Sequence, residues 1–305
     1  MKLSAGYSKK DITPSKPMQT IGFGRRDETS RGILQQLSAQ ITVWQAGGKN
    51  YCLAAIDHIG FSVAHSDELR EKIGKIISAE RENVMLCFSH THSAPNDSIE
   101  TEYFASVSDR ILNGVKEAFA DMTEVKAAWG NAEADIGINR RNDCLSLDKR
   151  IGVLKVTDSN TEKLKFILLR VTAHANVLKG DNYLISPDYF GAARDLAEQR
   201  FSCPVILTQG ASGNVAPKYF KSAVNPPDAS DSRFKRSETA LNDMAEEIYR
   251  GVNKIINNII PREINYFDTY SEKIELYADV PTYERAEKNS KRSKNLLWNR
   301  RHEMA

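Results

Sequence analysis

Residues 51–95, YCLAAIDHIGFSVAHSDELREKIGKIISAERENVMLCFSHTHSAP, decide the fold class of this chain. The apolar block 51–56 suits a buried strand, and residues 83–89 form a second short apolar strand. Between them, residues 64–82 have the spacing of an amphipathic helix. Its apolar face is made of Leu69, Ile73, Ile76 and Ile77. A strand, a helix and a strand in direct succession are typical of α/β proteins.

The rest of the chain extends this pattern in both directions. Further strand-like segments are 36–45, 125–130, 150–157, 164–174 and 203–209, and further helical segments are 101–122, 187–201 and 237–259. This order predicts an α/β fold with mixed β-sheets flanked by helices. We expect one catalytic-type domain over residues 1–305, with 221–236 as a polar surface loop. Residues 281–305 indicate a charged helix without a capping signal, which leaves a natural end and a shortened chain equally open.

The bulk composition argues against several classes of protein. Apolar residues make up 41% and charged residues 27% of the chain, and the net charge is +2. Nucleic-acid binding would need clustered basic charge, so we expect no such partner. The N-terminus lacks an apolar signal-peptide core, and no run approaches the ~18 apolar residues of a membrane span. We therefore predict a cytoplasmic protein. The cysteines are expected to be buried and reduced: Cys52, Cys87, Cys144 and Cys203.

The clearest site pattern is a pair of histidines in residues 89–95, SHTHSAP, directly after an apolar strand. Side chains two apart in a strand point to the same side, so His90 and His92 can face one ion. Open α/β sheets also place their ligand sites beyond the carboxyl ends of strands. The pair alone is equally compatible with two surface histidines on a loop.

A third histidine has the same context. His174 ends the apolar strand FILLRVTAH, residues 166–174. Three histidines at strand ends are typical of a catalytic zinc site that keeps one position for water. Such a water loses a proton near neutral pH and becomes a nucleophile. The sequence therefore predicts Zn²⁺ held by His90, His92 and His174.

Two other features lie close to predicted strand ends. Asp57 follows the strand 51–56 and is predicted to orient a ligand histidine from outside the metal shell, with a helix cap or turn as the alternative. Gly213 and Asn214 lie in residues 209–217, QGASGNVAP, where glycines leave backbone N–H groups available to an anion. A tight turn is the alternative there.

An arginine-rich segment, INRRN at 138–142, completes the candidate residues. Arg140 could grip a carboxylate or a developing oxyanion. From spacing alone, a solvated charged loop is the favoured interpretation of this segment.

These motifs, in this order, resemble the neutral/alkaline non-lysosomal ceramidase family, and the chain is similar to the N-terminal catalytic domain of a divergent bacterial-type member. The most specific motif is S-H-T-H-S-A-P at residues 89–95. The other matching segments are 6–14 (GYSKKDITP), 32–39 (GILQQLSA), Ile138-Asn139-Arg140, Thr172 to Asn176, Leu184-Ile185-Ser186 with Asp188, and Gln209 to Pro217. The resemblance spans about residues 6 to 217 and is sparse afterwards.

In that family, a zinc amidase cleaves the N-acyl bond of ceramide, a reaction of sphingolipid metabolism. The resemblance implies that His90, His92 and His174 are zinc ligands and that Arg140 lies at the substrate site. The family has a serine where this chain has Ala216, so a mechanism that uses that hydroxyl does not transfer. The family also completes its zinc site with a downstream glutamate and tyrosine, and no matching context precedes the last residue, 305. Either the chain is incomplete or water closes the shell.

The leading interpretation is a zinc-dependent hydrolase of an amide (N-acyl) bond in a lipid or a small molecule. A Zn-bound water would attack the carbonyl, and Arg140 with the N–H groups around Gly213 and Asn214 would stabilise the oxyanion. One alternative is another H-x-H metallohydrolase, of the metallo-β-lactamase or TIM-barrel amidohydrolase type. The other is a non-catalytic zinc-binding member of the family.

Overall fold

The structure is a computed structural model that describes residues 2–24, 28–141, 144–219, 238–272, 274–275, 280, 282–288 and 290. It divides into two units, Met1–Tyr270 and Ser271–Ala305. All of the predicted site residues lie in the first unit. In the second unit, residues 283–288 are helical, which agrees with part of the charged helix expected there. The predicted surface loop 221–236 lies outside the described residues.

The first unit alternates between strands and helices. Its strands are β1 (Leu3–Asp11), β2 (Gly32–Ile33), β3 (Ser38–Ala46), β4 (Lys49–Ile56), β5 (Val84–Phe88), β6 (Thr123–Glu133), β7 (Gly137–Asn139), β8 (Arg150–Asp158), β9 (Leu164–Val171), β10 (Leu184–Ile185), β11 (Val205–Gln209) and β12 (Val215–Pro217). Its α-helices are α1 (Val63–Ile77), α2 (Thr101–Ala120), α3 (Tyr189–Phe201) and α4 (Glu238–Asn253). None of the described helices is both long and apolar enough to cross a membrane.

Eight of these strands form one large sheet in the order β11-β9-β8-β6-β1-β3-β4-β5. The outermost pairs, β11 with β9 and β4 with β5, are parallel, and the pairs between them are antiparallel. The predicted mixed α/β fold is therefore confirmed. A TIM-barrel amidohydrolase needs eight parallel strands, so this strand order argues against that alternative.

Helices pack against each half of the sheet through their apolar faces. The apolar face predicted for α1 is the face that is buried. On the α1 face, Leu69, Ile73 and Ile77 are buried, and Ile76 is partly buried. Helices α1 and α2 share one apolar cluster with β3, β4 and β5, whereas α3 and α4 share another with β6, β8, β9 and β11. A third cluster, which includes Trp44 and Phe166, packs residues from both halves of the sheet against each other.

The helix ends follow local capping chemistry. Ser62 precedes α1, and its hydroxyl accepts a hydrogen bond from the N–H of His65 at 3.2 Å. Asp188 caps α3 in the same way, accepting from the N–H of Tyr189 at 2.8 Å. The four cysteines are free as expected. Cys52 and Cys203 are buried, whereas Cys87 and Cys144 are partly exposed, unlike the buried positions expected for them.

Candidate metal centre

The three predicted histidines come together at the ends of β5 and β9. Their candidate ligand atoms all lie within 4.8 Å of one another. The Nε2 atoms of His92 and His174 are 3.0 Å apart, and the ring centroids of the three imidazoles lie 4.5 to 5.4 Å apart. We call His90, His92 and His174 the histidine cluster. The cluster could hold a metal ion although His174 is 82 positions from His92 along the chain.

His90 is held in an unusual backbone conformation. Its φ of 64° lies in the left-handed region, which non-glycine residues adopt rarely. Its N–H donates to the carbonyl of His58 at 2.9 Å, and its ring Nδ1 lies 2.7 Å from the carbonyl of Ile59. Because a carbonyl only accepts, Nδ1 carries the proton, and Nε2 keeps its lone pair for a metal.

His174 is fixed by the loop that follows β11. Its N–H donates to the carbonyl of Val215 at 2.8 Å, and its ring Nδ1 lies 3.3 Å from the carbonyl of Ser212. The same argument leaves its Nε2 available as a metal ligand. The side chain is 7% exposed, so its ring is packed as well as hydrogen-bonded.

His92 is held by packing rather than by a carbonyl. Its ring lies against that of Phe23, with centroids 5.1 Å apart. Gly22 approaches so closely that a Cβ at that position would lie 2.7 Å from the Cβ of His92. Contact with the Gly22 backbone raises the pKa of His92, although Nδ1 has no partner within hydrogen-bond geometry among the described residues.

The cluster favours neutral imidazoles, the form that binds metals. Burial lowers the pKa of His92 to about 4, and the neighbouring rings of His174 and His90 lower it further. Burial also lowers the pKa of His174 to about 4, with added repulsion from His90 and from the cation of Arg140. At neutral pH, both side chains are therefore unprotonated.

One pair of candidate ligand atoms has a spacing close to that of a tetrahedral zinc site. Two nitrogen ligands at ~2.0–2.1 Å from zinc in tetrahedral geometry are about 3.3 Å apart. The Nε2 atoms of His92 and His174, at 3.0 Å, are close to that value. Among the described residues, the cluster includes no carboxylate or thiolate ligand atom.

The predicted anion-binding residues meet beside His174. Strands β7 and β12 pair so that Asn139 faces Val215 and Ile138 faces Ala216. The N–H of Arg140 donates to the carbonyl of Asn214 at 2.9 Å, and its guanidinium Nη2 donates to the carbonyl of Gly213. We call Arg140, Gly213 and Asn214 the arginine turn.

The arginine turn faces solvent. Arg140 and Gly213 are exposed, and a Cβ at Gly213 would meet no atom within 4 Å. Neither the N–H of Gly213 nor that of Asn214 donates to a described residue. The turn therefore offers one cation and two N–H donors next to the histidine cluster. By contrast, Ala216 is 1% exposed and contributes only a buried methyl group.

Asp57 has different partners from those expected. Its carboxylate forms a buried ion pair with Arg194 at 2.9 Å and accepts hydrogen bonds from the N–H and hydroxyl of Ser38 at 2.9 and 3.1 Å. It forms no hydrogen bond to a histidine side chain among the described residues. The orienting acceptors for the ligand rings are instead the backbone carbonyls of Ile59 and Ser212.

Several polar residues that support the cluster had no role assigned from the sequence. Asp188 accepts hydrogen bonds from the N–H groups of Val177 and Leu178 at 3.2 and 3.0 Å, which fixes the chain just after His174. Burial raises the pKa of Asp188 to about 6 in spite of these bonds. Gln209, the last residue of β11, donates to the two chain segments that lead into the cluster. In the sequence, Asp188 and Gln209 are marked only by their places in the segments that match the ceramidase family.

The remaining histidines do not join the cluster. His58 is fully buried, with Nε2 2.7 Å from the carbonyl of Pro95 and Nδ1 accepting from the N–H of Gly60 at 3.1 Å. Burial lowers its pKa to about 4. His65 stacks on Phe104 and lies 2.8 Å from the carboxylate of Asp97. His302 lies outside the described residues.

Together, the fold and the site define a mixed α/β domain with a histidine cluster at the carboxyl ends of its strands. No family model matches the chain. Among curated proteins, it is 23% identical over 218 residues to neutral ceramidase from Pseudomonas aeruginosa, a match that covers 62% of this chain and 32% of that protein. This chain is a divergent neutral-ceramidase-like domain, and it spans about a third of the length of the curated relative it matches.

Solved structures show the same fold. The crystal structure of neutral ceramidase from Pseudomonas aeruginosa matches with a TM-score of 0.72 and 20% identity, over 84% of this chain and 45% of that one. A structure described as ceramidase complexed with C2 matches with the same TM-score and identity, over 84% of this chain and 44% of that one. The family resemblance found in the sequence is thereby confirmed, and the shared fold extends further along the chain than the shared motifs.

Proposed function

We propose that this chain is a zinc-dependent hydrolase that cleaves an amide (N-acyl) bond. The observation that carries the proposal is the convergence of His90, His92 and His174, with two of the rings oriented by backbone carbonyls. The likeness to a ceramidase supports hydrolysis as the class of reaction and an N-acyl bond as its target. Three nitrogen ligands with an open position are the pattern of catalytic rather than structural zinc.

Each part of the site has a task in this reaction. His90, His92 and His174 would hold the zinc ion, which when bound would supply a Lewis acid and a water with a pKa near 7. Arg140 lies beside His174, where its guanidinium can bind the carbonyl oxygen of the substrate as negative charge develops on it. The N–H groups of Gly213 and Asn214 donate to no described residue, so they can donate to the same substrate oxygen.

The substrate proposed for this site is an uncharged amide of a lipid or of a small molecule. Ceramide is one candidate, since the relative carries that substrate in its name. The buried methyl group of Ala216 offers no hydroxyl to a substrate, so the chemistry must rest on the metal and the arginine turn.

Metal content and turnover test this proposal together. Purified protein should contain about one zinc per chain, and His92→Ala should lower that content. A panel of N-acyl substrates under saturating zinc should show turnover that His90→Ala abolishes. Wild-type protein that binds no metal at neutral pH would refute the metal site.

A non-catalytic zinc-binding role is the second candidate, favoured by Ala216 at a position where the family has a serine. The same panel separates the two. Zinc bound with normal affinity but no turnover on any N-acyl substrate would favour a binding protein.

A further inference from the structure

The two edge strands of the large sheet, β5 and β11, come close to each other near the histidine cluster. Strands β5 and β11 are the outermost strands in the sheet order, yet their Cα atoms come within 8 Å of each other. No backbone hydrogen-bond ladder joins them among the described residues. Near the cluster, the N–H of His92 donates to the carbonyl of Ala175 at 3.4 Å. A side-chain interaction adds to this bond in setting the spacing between the strand that leads to His90 and the strands β9 and β11.

The side chain of Gln209 provides that interaction. Its Nε2 donates to the carbonyl of Ser89 at 3.0 Å and to the carbonyl of Ala173 at 2.8 Å. Ser89 immediately precedes His90, and Ala173 immediately precedes His174. Because both partners are carbonyl oxygens, only the NH₂ group of the amide can face them, so chemistry fixes the orientation of the side chain.

The Gln209 amide donates to two carbonyls, but its own oxygen is left unpaired. Its Oε1 is buried and has no hydrogen-bond partner among the described residues. Leaving a buried acceptor unpaired is unfavourable, and such groups in folded proteins call for an explanation. Holding two ligand-bearing segments at one distance is such an explanation.

Tyr189 contributes a related but different contact. Its hydroxyl donates to the same carbonyl of Ala173 at 2.7 Å, from inside the core. This bond holds the His174 side, and the hydroxyl also lies within hydrogen-bonding reach of the Gln209 side chain. Gln209 joins the residue before His90 to the residue before His174.

We propose that Gln209 is a positioning residue that sets the separation of the His90 and His174 rings and thereby the affinity and geometry of the metal site. This inference rests on the proposed metal function. It assigns to Gln209 no contact with substrate or metal. Its effect passes through the backbone of Ser89 and Ala173 to the two rings.

Zinc affinity and the spectrum of cobalt-substituted protein test the inference without measuring turnover. Gln209→Met keeps the length of the side chain and removes its donors. We expect it to weaken zinc binding about 10- to 100-fold, the loss typical when a group that orients metal ligands is removed. The visible absorption bands of bound Co²⁺ should shift as the ligand geometry relaxes. Gln209→Asn keeps an amide that is one methylene shorter, and it should give an intermediate affinity.

Two control variants separate positioning from general destabilisation. Gln40 is also buried, and its Nε2 donates to the hydroxyl of Ser38 at 2.5 Å, far in sequence from any ligand histidine. Gln40→Met should lower the stability of the metal-free protein but change zinc affinity less than about threefold, since it leaves the ligand rings in place. Tyr189→Phe should have a smaller effect on zinc than Gln209→Met, because the link between the two segments remains.

Each outcome decides the question. Zinc affinity and a cobalt spectrum equal to wild type in Gln209→Met would overturn the positioning role while leaving the metal site intact. An equal loss of zinc affinity in Gln40→Met would also overturn it, as the effect would then follow stability alone. Wild-type protein that binds neither zinc nor cobalt would refute the proposed metal site and, with it, this inference. If Gln209→Met fails to fold, Gln209→Asn carries the same comparison with Gln40→Met, and a zinc affinity and cobalt spectrum equal to wild type in Gln209→Asn would overturn the positioning role.

Discussion

The histidine cluster and the arginine turn lie side by side, but they are held in opposite ways. Two rings of the cluster have their Nδ1 atoms fixed by backbone carbonyls, and His174 is buried. The arginine turn is exposed and is placed by one short strand pairing and by contacts of Arg140 with the carbonyls of its neighbours. In the first region, burial keeps the rings of His92 and His174 neutral at pH 7. In the second, Arg140 is a cation exposed to solvent.

This difference assigns metal binding to the histidine cluster and transition-state stabilisation to the arginine turn. A metal ligand must be oriented before the ion arrives, so each support of the cluster contributes to affinity. A group that stabilises a developing oxyanion contributes only when charge appears on the substrate. Variants of the cluster should therefore lose the metal, and variants of the arginine turn should keep the metal and lose turnover.

The largest effect should follow removal of a ligand from the cluster. His174→Ala should weaken zinc binding by more than about 1000-fold, well beyond the 10- to 100-fold typical of a group outside the metal shell. Turnover should become undetectable. The matched control is His65→Ala, which removes a histidine that stacks on Phe104 outside the cluster. Competition with a chromophoric chelator measures both affinities, and similar values in the two variants would contradict the assignment.

A smaller effect, confined to catalysis, should follow a change in the arginine turn. Arg140→Gln should lower kcat about 100- to 1000-fold, the loss typical of removing one oxyanion donor. Zinc content should remain at the wild-type level. The control variant is Arg141→Gln. The backbone N–H of Arg141 donates to the Asn139 side-chain oxygen at 2.9 Å, a bond that this substitution keeps. If both variants lose kcat alike, the effect is one of general charge and not of the turn.

Metal removal should affect stability through the cluster only. Zinc at 100 to 1000 times its dissociation constant should raise the free energy of unfolding by about 3–4 kcal/mol. Denaturant titrations with zinc and with chelator measure this difference. It should persist in Arg140→Gln and vanish in His174→Ala. A zinc effect of equal size in both variants would mean that the ion stabilises the protein from another place.

The fold and the cluster could be predicted from the sequence because their signals are local. Apolar blocks and the helical spacing around Leu69 and Ile73 report which face of each element is buried. His90, His92 and His174 follow apolar strands directly, and strand ends are where α/β sheets bind ligands. These inferences required no knowledge of which distant residues meet.

The support of the cluster could not be predicted because it depends on contacts across the fold. Asp57 stands at a strand end like the histidines, yet its carboxylate is taken by Arg194, 137 positions away in the chain. The acceptors that orient the rings are backbone carbonyls, which carry no signature of residue type. Gln209 acts across a gap between two sheet edges that no local pattern reveals.

The smallest expected effect is a pH dependence of the free energy of unfolding that comes from His58, next to the cluster. His58 is fully buried below His90, and burial lowers its pKa to about 4 from the 6.5 of a free side chain. As the pH falls below 6.5, the unfolded chain therefore takes up a proton that the folded protein does not. The unfolded state then binds more protons, so His58 lowers the free energy of unfolding by about 2–3 kcal/mol between pH 7 and pH 4, beside the separate decreases from His92 and His174.

His58→Gln tests this, since glutamine retains a donor for the carbonyl of Pro95 and does not titrate. Metal-free protein should be used, because zinc release adds its own pH dependence. The variant should be less stable than wild type at pH 7, where neutral His58 makes both of its hydrogen bonds. It should lose less stability on acidification, and the stability curves of the two proteins should converge towards pH 4. Parallel curves from pH 7 to pH 4 would show that His58 does not titrate differently in the two states, and the acid sensitivity of the fold would then belong to other groups.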